Sequence, residues 1–84
     1  MTTPTLIPFS PSDLIDIALA LRAAAHSARL DERLHVAAVT YDHAATFYEA
    51  ASYPMTANEM RRQADACRDD AWEAREAAPD EEAA

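Results

Sequence analysis

Few residues in this chain have types and spacing that could do chemistry, and the most suggestive pair is Glu32 and His35. Their E-x-x-H spacing would place a carboxylate and an imidazole one turn apart on a helix, where both could bind one metal ion. A complete metal site needs further carboxylates, and the preceding helical segment offers only Asp13 and Asp16. Because this ligand set is incomplete, we expect no metal and no other cofactor, with Glu32 and His35 as weak candidates.

The segment Glu32-Arg33-Leu34-His35 resembles the E-x-x-H segment of ferritin-like di-iron proteins over these four residues. The resemblance implies a helical bundle in which facing helices hold a metal between inward-pointing side chains. A metal-binding or small-ligand-binding helical bundle is therefore kept as an alternative function, with Glu32 and His35 as its first ligands.

Covalent catalysis has no support in the remaining residues. Ser27 follows His26 directly, and neighbouring side chains on a helix point in different directions. The single cysteine, Cys67, lies in a row of small apolar residues, where burial raises the pKa of a thiol. Glycine is absent, which excludes the glycine-rich loops that hold nucleotide phosphates. We predict that the protein is not an enzyme.

The composition predicts a small all-α protein of one domain. Glycine, which tight β-hairpin turns need, is absent from the 84 residues, and alanine, the best helix former, is the most abundant residue. A chain of this length buries little surface and depends on disulfides, metals or oligomerisation for stability. The single cysteine excludes a disulfide within one chain. We therefore expect a homo-oligomer, a dimer or larger, in a reducing compartment.

The charge and hydropathy of the chain exclude two classes of partner. The formal net charge of −8 repels nucleic acid and anionic membrane surfaces. The longest apolar stretch, residues 14–28, contains Asp16, Arg22 and His26 and does not form a transmembrane segment. The N-terminus has no basic region of the kind that starts a signal peptide, so we expect a cytoplasmic protein.

Capping signals divide the chain into an arm, three helices and a tail. Two prolines predict an extended N-terminal arm over residues 1–9, and a Ser-Pro-Ser-Asp sequence from Ser10 predicts the start of the first helix. Asp31 is a candidate cap for the second helix, and Thr56 with Glu59 forms a candidate capping box for the third. The predicted helices span residues 11–28, 32–52 and 57–77, within a helical domain of residues 10–78 that precedes an acidic disordered tail over 79–84.

The boundary between the first two helices admits two interpretations. The heptad pattern of apolar residues shifts by one position there, which predicts a short turn near residues 29–31. A single long helix with a shift in its pattern is the alternative. Pro54 ends the second helix, and we expect the second and third helices to form an antiparallel hairpin.

Each of the first two helices has apolar residues on two opposite faces. One apolar face of each helix can pack into the core of a three-helix chain. The opposite apolar face then needs another segment or another molecule to bury it. The third helix has one seam of small residues, and Trp72 at its edge is expected to cover one side of the core. The N-terminal arm could cover one second face, and His26 and His43 could pair at an interface. We predict that the second faces form a self-interface or bind a partner protein through Ile15, Leu19, His26, Leu30, Val36, Val39, His43 and Phe47.

These observations predict a non-enzymatic protein–protein interaction module that self-associates and binds, or inhibits, a partner protein. Alanine and arginine have GC-rich codons and lysine is absent, so a small accessory protein of a high-GC bacterium or phage fits the composition. The surplus of acids leaves a third function open, that of an acidic decoy which inhibits a nucleic-acid-binding protein. Intrahelical pairs, such as Glu59 with Arg62 and Asp65 with Arg68, would offset much of that charge.

Overall fold

The computed structural model describes residues 10–77 and places three α-helices in that range. They are α1 (Pro11–Leu30), α2 (Leu34–Ala50) and α3 (Pro54–Ala77). The described residues contain no strand, so the predicted all-α fold with three helices is confirmed. The predicted arm over residues 1–9, the predicted tail over 79–84 and the predicted domain end at residue 78 lie outside the described residues.

α1 begins where its capping residues predict. The Ser10 side-chain oxygen accepts a hydrogen bond from the Asp13 backbone N–H at 3.1 Å, and the Asp13 carboxylate accepts one from the Ser10 N–H at 3.3 Å. Pro11 occupies the first helical position, where no backbone donor is needed. These bonds satisfy backbone groups that the helix start leaves unpaired, and Asp13 also offsets the positive end of the helix.

α1 and α2 are separate helices, so the alternative of one long helix is wrong. Asp31, the candidate cap of the second helix, instead ends α1, because its N–H donates to the carbonyl of Ser27 at 3.1 Å. α2 begins at Leu34, and Arg33 precedes it without a side-chain cap. Asp31 cannot cap α2 because a tight turn separates it from Leu34.

α3 begins at Pro54, earlier than the predicted residue 57. Proline lacks an N–H and has a backbone angle suited to the first helical position, so Pro54 starts α3 as well as ending the preceding segment. The Ala57 N–H donates to the carbonyl of Tyr53 at 3.0 Å, which places Thr56 inside the first turn. The predicted capping box of Thr56 and Glu59 is therefore wrong.

Both connections between the helices have the same geometry, and neither contains glycine. Glu32 and Ser52 adopt left-handed backbone angles, with φ of 62° and 71°. In the first turn the N–H of Arg33 donates to the carbonyl of Ala28 at 2.8 Å, and the second turn repeats this bond at the same length. This is the Schellman arrangement, in which glycine usually takes the left-handed position. A residue with a side chain costs about 1–2 kcal/mol there, because its Cβ approaches a carbonyl oxygen.

α2 is the central helix, and it packs closely against both α1 and α3. α2 and α3 form the predicted antiparallel hairpin, and two ion pairs mark its register. The Arg61 guanidinium of α3 lies 3.1 Å from the Glu49 carboxylate of α2, and Arg68 pairs with Asp42. α1 and α3 lie on the two sides of α2 and contact each other much less.

The core of the described residues consists mainly of alanine. Ala37 and Ala44 lie on one flank of α2, Ala38 and Ala45 lie on the other, and all four are buried. Side chains of one carbon allow helix axes to approach to about 8 Å. The buried apolar residues other than alanine are Tyr41, Tyr48, Met60 and Cys67.

Replacing Glu32 or Ser52 by glycine is expected to stabilise the fold. Glycine has no Cβ, so each change should add about 0.5–1 kcal/mol to the free energy of unfolding, after allowing for the freedom of glycine in the unfolded chain. Chemical denaturation followed by circular dichroism, at one protein concentration, measures the change. The matched control is Ala20→Gly in the middle of α1, an exposed residue on neither apolar surface, which should lose about 1 kcal/mol. Unchanged or reduced stability in both turn variants would contradict the prediction.

Candidate interaction surfaces

A groove runs between α1 and α3 on one face of the helix layer. Its volume is about 990 Å³, and the buried side chains of Tyr41 from α2 and Met60 from α3 lie at its floor. α1 and α3 form its walls, so the groove has the shape that a further helix would occupy in a four-helix bundle. The other lining residues are Leu19, Arg22, Ala23, His26, Arg29, Leu30, Glu32, Glu59 and Gln63.

The predicted apolar stripe of α1 faces this groove over most of its length. Leu19, His26 and Leu30 line the groove, and the two leucines are 49% and 70% exposed. Ile15, the first residue of the predicted stripe, is instead half-buried against the core. α1 therefore offers large apolar side chains to any molecule that enters the groove.

Arg29 joins the two walls of the groove near the C-terminal end of α1. Its guanidinium donates to the Gln63 side-chain oxygen at 2.6 Å and to an Asp70 carboxylate oxygen at 3.4 Å, both on α3. These contacts join residues far apart in the chain, and no local pattern around Arg29 indicates them. Sequence reasoning therefore missed the residue that holds α1 and α3 together at this end.

The predicted stripe of α2 lies on the opposite side of the helix layer, on a surface that we call the outer face of α2. Its valines lie about 140–160° around the helix from Tyr41, which points into the groove. Phe47, a predicted member of the stripe, is half-buried against the core and does not belong to this surface. The outer face of α2 consists of the exposed residues Val36, Val39, His43, Thr46 and Ala50.

The two predicted stripes thus form two surfaces rather than one. Val36 and Val39 are 43% and 50% exposed. Like the leucines of the groove they are open to solvent, but they point away from the groove. His26 lines the groove and His43 lies on the outer face of α2, so one chain does not bring these histidines together. A single chain therefore presents two separate apolar surfaces.

Trp72 does not cover the core, and the prediction that it does is wrong. Its side chain is 60% exposed. Trp72 follows Arg68 by one helical turn, and Arg68 pairs with Asp42, so the antiparallel register places Trp72 level with the first turns of α2. Trp72 thus adds a large exposed apolar side chain on α3, level with the N-terminal half of α2.

The candidate metal ligands do not lie on one helix. Glu32 occupies the left-handed position of the turn before α2, whereas His35 lies within the first turn of α2, and both are exposed. The helical spacing assumed for the E-x-x-H pair is therefore absent. Residues 10–77 contain no group of three or more histidine, cysteine or acidic side chains that could hold a metal ion. Asp13, one of the additional candidate ligands, caps α1 at its N-terminus.

The acidic residues of α3 are interleaved with arginines. The predicted intrahelical pairs are present, with Arg62 at 3.5 Å from Glu59 and Arg68 at 3.4 Å from Asp65. Such pairs divide the negative charge into short neutralised stretches. The described surface of α3 therefore gives no added weight to the acidic decoy.

Cys67 is fully buried in the seam of α3 that faces α2. Burial raises the pKa of its thiol, while the nearby Arg29 guanidinium acts in the opposite direction. The thiolate is the reactive form of cysteine, so Cys67 is poorly suited to nucleophilic chemistry. The predicted burial of Cys67 in a row of small apolar residues is confirmed.

Comparison of the chain with models of known families, with curated proteins and with solved structures found no match. None of the helices in residues 10–77 is long and apolar enough to span a membrane. Any function must therefore be argued from the two surfaces and the core beneath them.

The raised pKa of Cys67 predicts a loss of stability at alkaline pH. The folded state keeps the thiol protonated while the unfolded chain ionises near the usual value of 9.0, so the unfolded state binds fewer protons and stability falls as pH rises past that value. Denaturant unfolding of the parent and of Cys67→Ala between pH 7 and pH 10 measures the effect. Other alkaline titrations are common to both proteins and cancel in the difference. A difference that stays constant with pH would contradict the prediction.

Proposed function

We propose that this protein is a non-enzymatic protein–protein interaction module that self-associates and binds, or inhibits, a partner protein. One observation supports the proposal above the others, the distribution of side-chain size between core and surface. Alanine makes up most of the core, whereas no leucine, valine or tryptophan side chain of residues 10–77 is fully buried. Among residues 10–77, the large apolar residues with substantial exposure are Leu19, Leu30, Val36, Val39, Tyr53, Met55 and Trp72.

This distribution is the reverse of what a stable independent domain needs. Full burial of a leucine or valine side chain contributes about 1.5–3 kcal/mol, and an alanine methyl group contributes much less. Scattered exposed apolar residues are normal, but clustered ones mark binding surfaces. Leu19 and Leu30 share one groove, and Val36 and Val39 share one helix face. Association would bury the side chains that the alanine core leaves exposed.

The groove suits a helix of a partner protein. A helix binds in a groove by placing one apolar stripe against an apolar floor. Here Tyr41 and Met60 supply the floor, Leu19 and Leu30 line one wall, and Arg22 and Glu59 supply charge at the edges. In our proposal the partner helix has apolar side chains along one stripe and polar residues beside it.

A cellular setting is part of the proposal. The single cysteine and its buried thiol suit the reducing cytoplasm. The alanine-rich and lysine-free composition suits a small accessory protein of a high-GC bacterium or phage.

Self-association is expected to make the molar mass depend on concentration and to exceed that of one chain. Sedimentation or light scattering over a dilution series measures the mass. Val39→Asp should reduce the mass, because an aspartate buried without a partner costs several kcal/mol. The matched control is Met55→Asp, an equally drastic change at a residue that is 84% exposed and lies on neither surface. A parent protein that stays at the mass of one chain at every concentration would overturn the self-association.

Binding of a partner is expected to require the groove. Immobilised parent protein should retain a partner from host lysate, and Leu30→Asp should retain at least tenfold less, because the charge lies on the apolar wall. Circular dichroism confirms that the variant stays folded, which is expected because Leu30 is 70% exposed. Equal retention by Leu30→Asp and by the control Met55→Asp would contradict a partner site in the groove.

A further inference from the structure

The outer face of α2 has the spacing of a coiled-coil seam. Its five residues follow one another at alternating intervals of three and four, the pattern that keeps one edge of a helix against a second helix. All five are exposed, and none has a carboxylate, ammonium or guanidinium group. Residues 10–77 thus leave a continuous seam of two heptads exposed on the central helix.

The two acids of α2 are turned away from this seam. Asp42 pairs with Arg68, and Glu49 pairs with Arg61 at 3.1 Å, so both carboxylates are held toward α3. α2 contains no lysine or arginine. The seam is therefore neutral in a chain whose formal net charge is −8. Two copies of such a chain repel each other over most of their surfaces and can approach closely where the charge is absent.

The two halves of the seam differ in size and complement each other. The larger apolar side chains, Val36 and Val39, lie in the N-terminal half, and the smaller Thr46 and Ala50 lie in the C-terminal half. If a twofold axis passes the middle of α2, the valines of each copy pack against the small residues of the other copy. A parallel arrangement would place valine on valine and alanine on alanine, which leaves a gap at one end.

The flank of the seam next to α3 also favours an antiparallel orientation of the two copies. His35 lies on this flank near the start of α2, and Glu49 lies on it near the end. Antiparallel copies place His35 of one chain level with Glu49 of the other on the same flank, where Glu49 keeps its ion pair with Arg61. Parallel copies do not produce this arrangement. Trp72, level with the first turns of α2 and 60% exposed, is then level with the C-terminal half of the second copy's seam.

We infer that the outer face of α2 is the site at which a second copy of this chain docks, antiparallel and about a twofold axis near the middle of α2. The inference rests on the self-association in the proposed function and names its surface and orientation. It leaves the groove between α1 and α3 free for a different partner, because the groove lies on the opposite side of the layer.

Oxidative cross-linking of single cysteines tests the orientation, in full-length chains that all have Cys67→Ala. His43→Cys, near the axis, should form a disulfide-linked dimer readily. Val36→Cys alone should not, because the two copies of residue 36 are at least about 15 Å apart along the antiparallel helices, beyond disulfide reach. A mixture of Val36→Cys with Ala50→Cys should give the mixed dimer, because the two residues lie at the same level of the antiparallel helices.

Met55→Cys gives the rate of cross-linking by random collision, because this exposed residue lies off the seam. Efficient linkage of Val36→Cys to itself would show a parallel dimer and overturn the inference. A dimeric parent that links at no seam position, or whose mass is unchanged by Val39→Asp, would overturn it while leaving the proposed self-association intact. A parent that is never dimeric would overturn both. Linkage that appears only after residues 1–9 are deleted would show that this segment covers the seam, and would also overturn the inference.

Discussion

The close approach of three helices through alanine is the constraint on which the rest of this structure depends. α2 has alanines on both flanks, and Ala64 and Ala71 continue the same contact from α3. Helices that meet through single methyl groups leave no interior space for leucine or valine. The leucines and valines of residues 10–77 therefore lie at the edges of the contacts or on the outside, while Tyr41, Tyr48 and Met60 are the large side chains that the core does bury. The two apolar surfaces follow from the small size of the residues between the helices.

The connections place these surfaces on opposite sides. Two Schellman turns of the same kind reverse the chain twice, so α1 and α3 both lie against α2 and neither covers the outer face of α2. Tyr41 occupies the space between α1 and α3, and Arg29 joins them across it. A single chain can thus present a groove and a flat seam at once, with α2 contributing to both.

The sequence predicted the helices well because their signals are local. Ser10 and Asp13 form a capping box that involves no residue from elsewhere, and the phases of the apolar stripes are properties of each helix alone. The same locality explains the errors. Asp31, Thr56 and Pro54 are each compatible with a helix end or a helix start, and the backbone hydrogen bonds of the turn decide between them. The phase of a stripe also does not state where a neighbouring helix lies, so the opposed positions of the two stripes and the contact of Arg29 with Gln63 could not be inferred.

The alanine core also affects the side-chain entropy lost on folding and on docking. Alanine has no rotamers to lose, so ordering the core restricts few side chains even though it gains little from burial. The valines of the outer face are β-branched, and on a helix such side chains already occupy essentially one rotamer before any contact is made. A second helix that packs against Val36 and Val39 would therefore meet side chains already held in place, and little rotamer freedom would oppose the association. A chain whose alanine core gains little free energy from burial can in this way have a surface whose side chains are already ordered for binding.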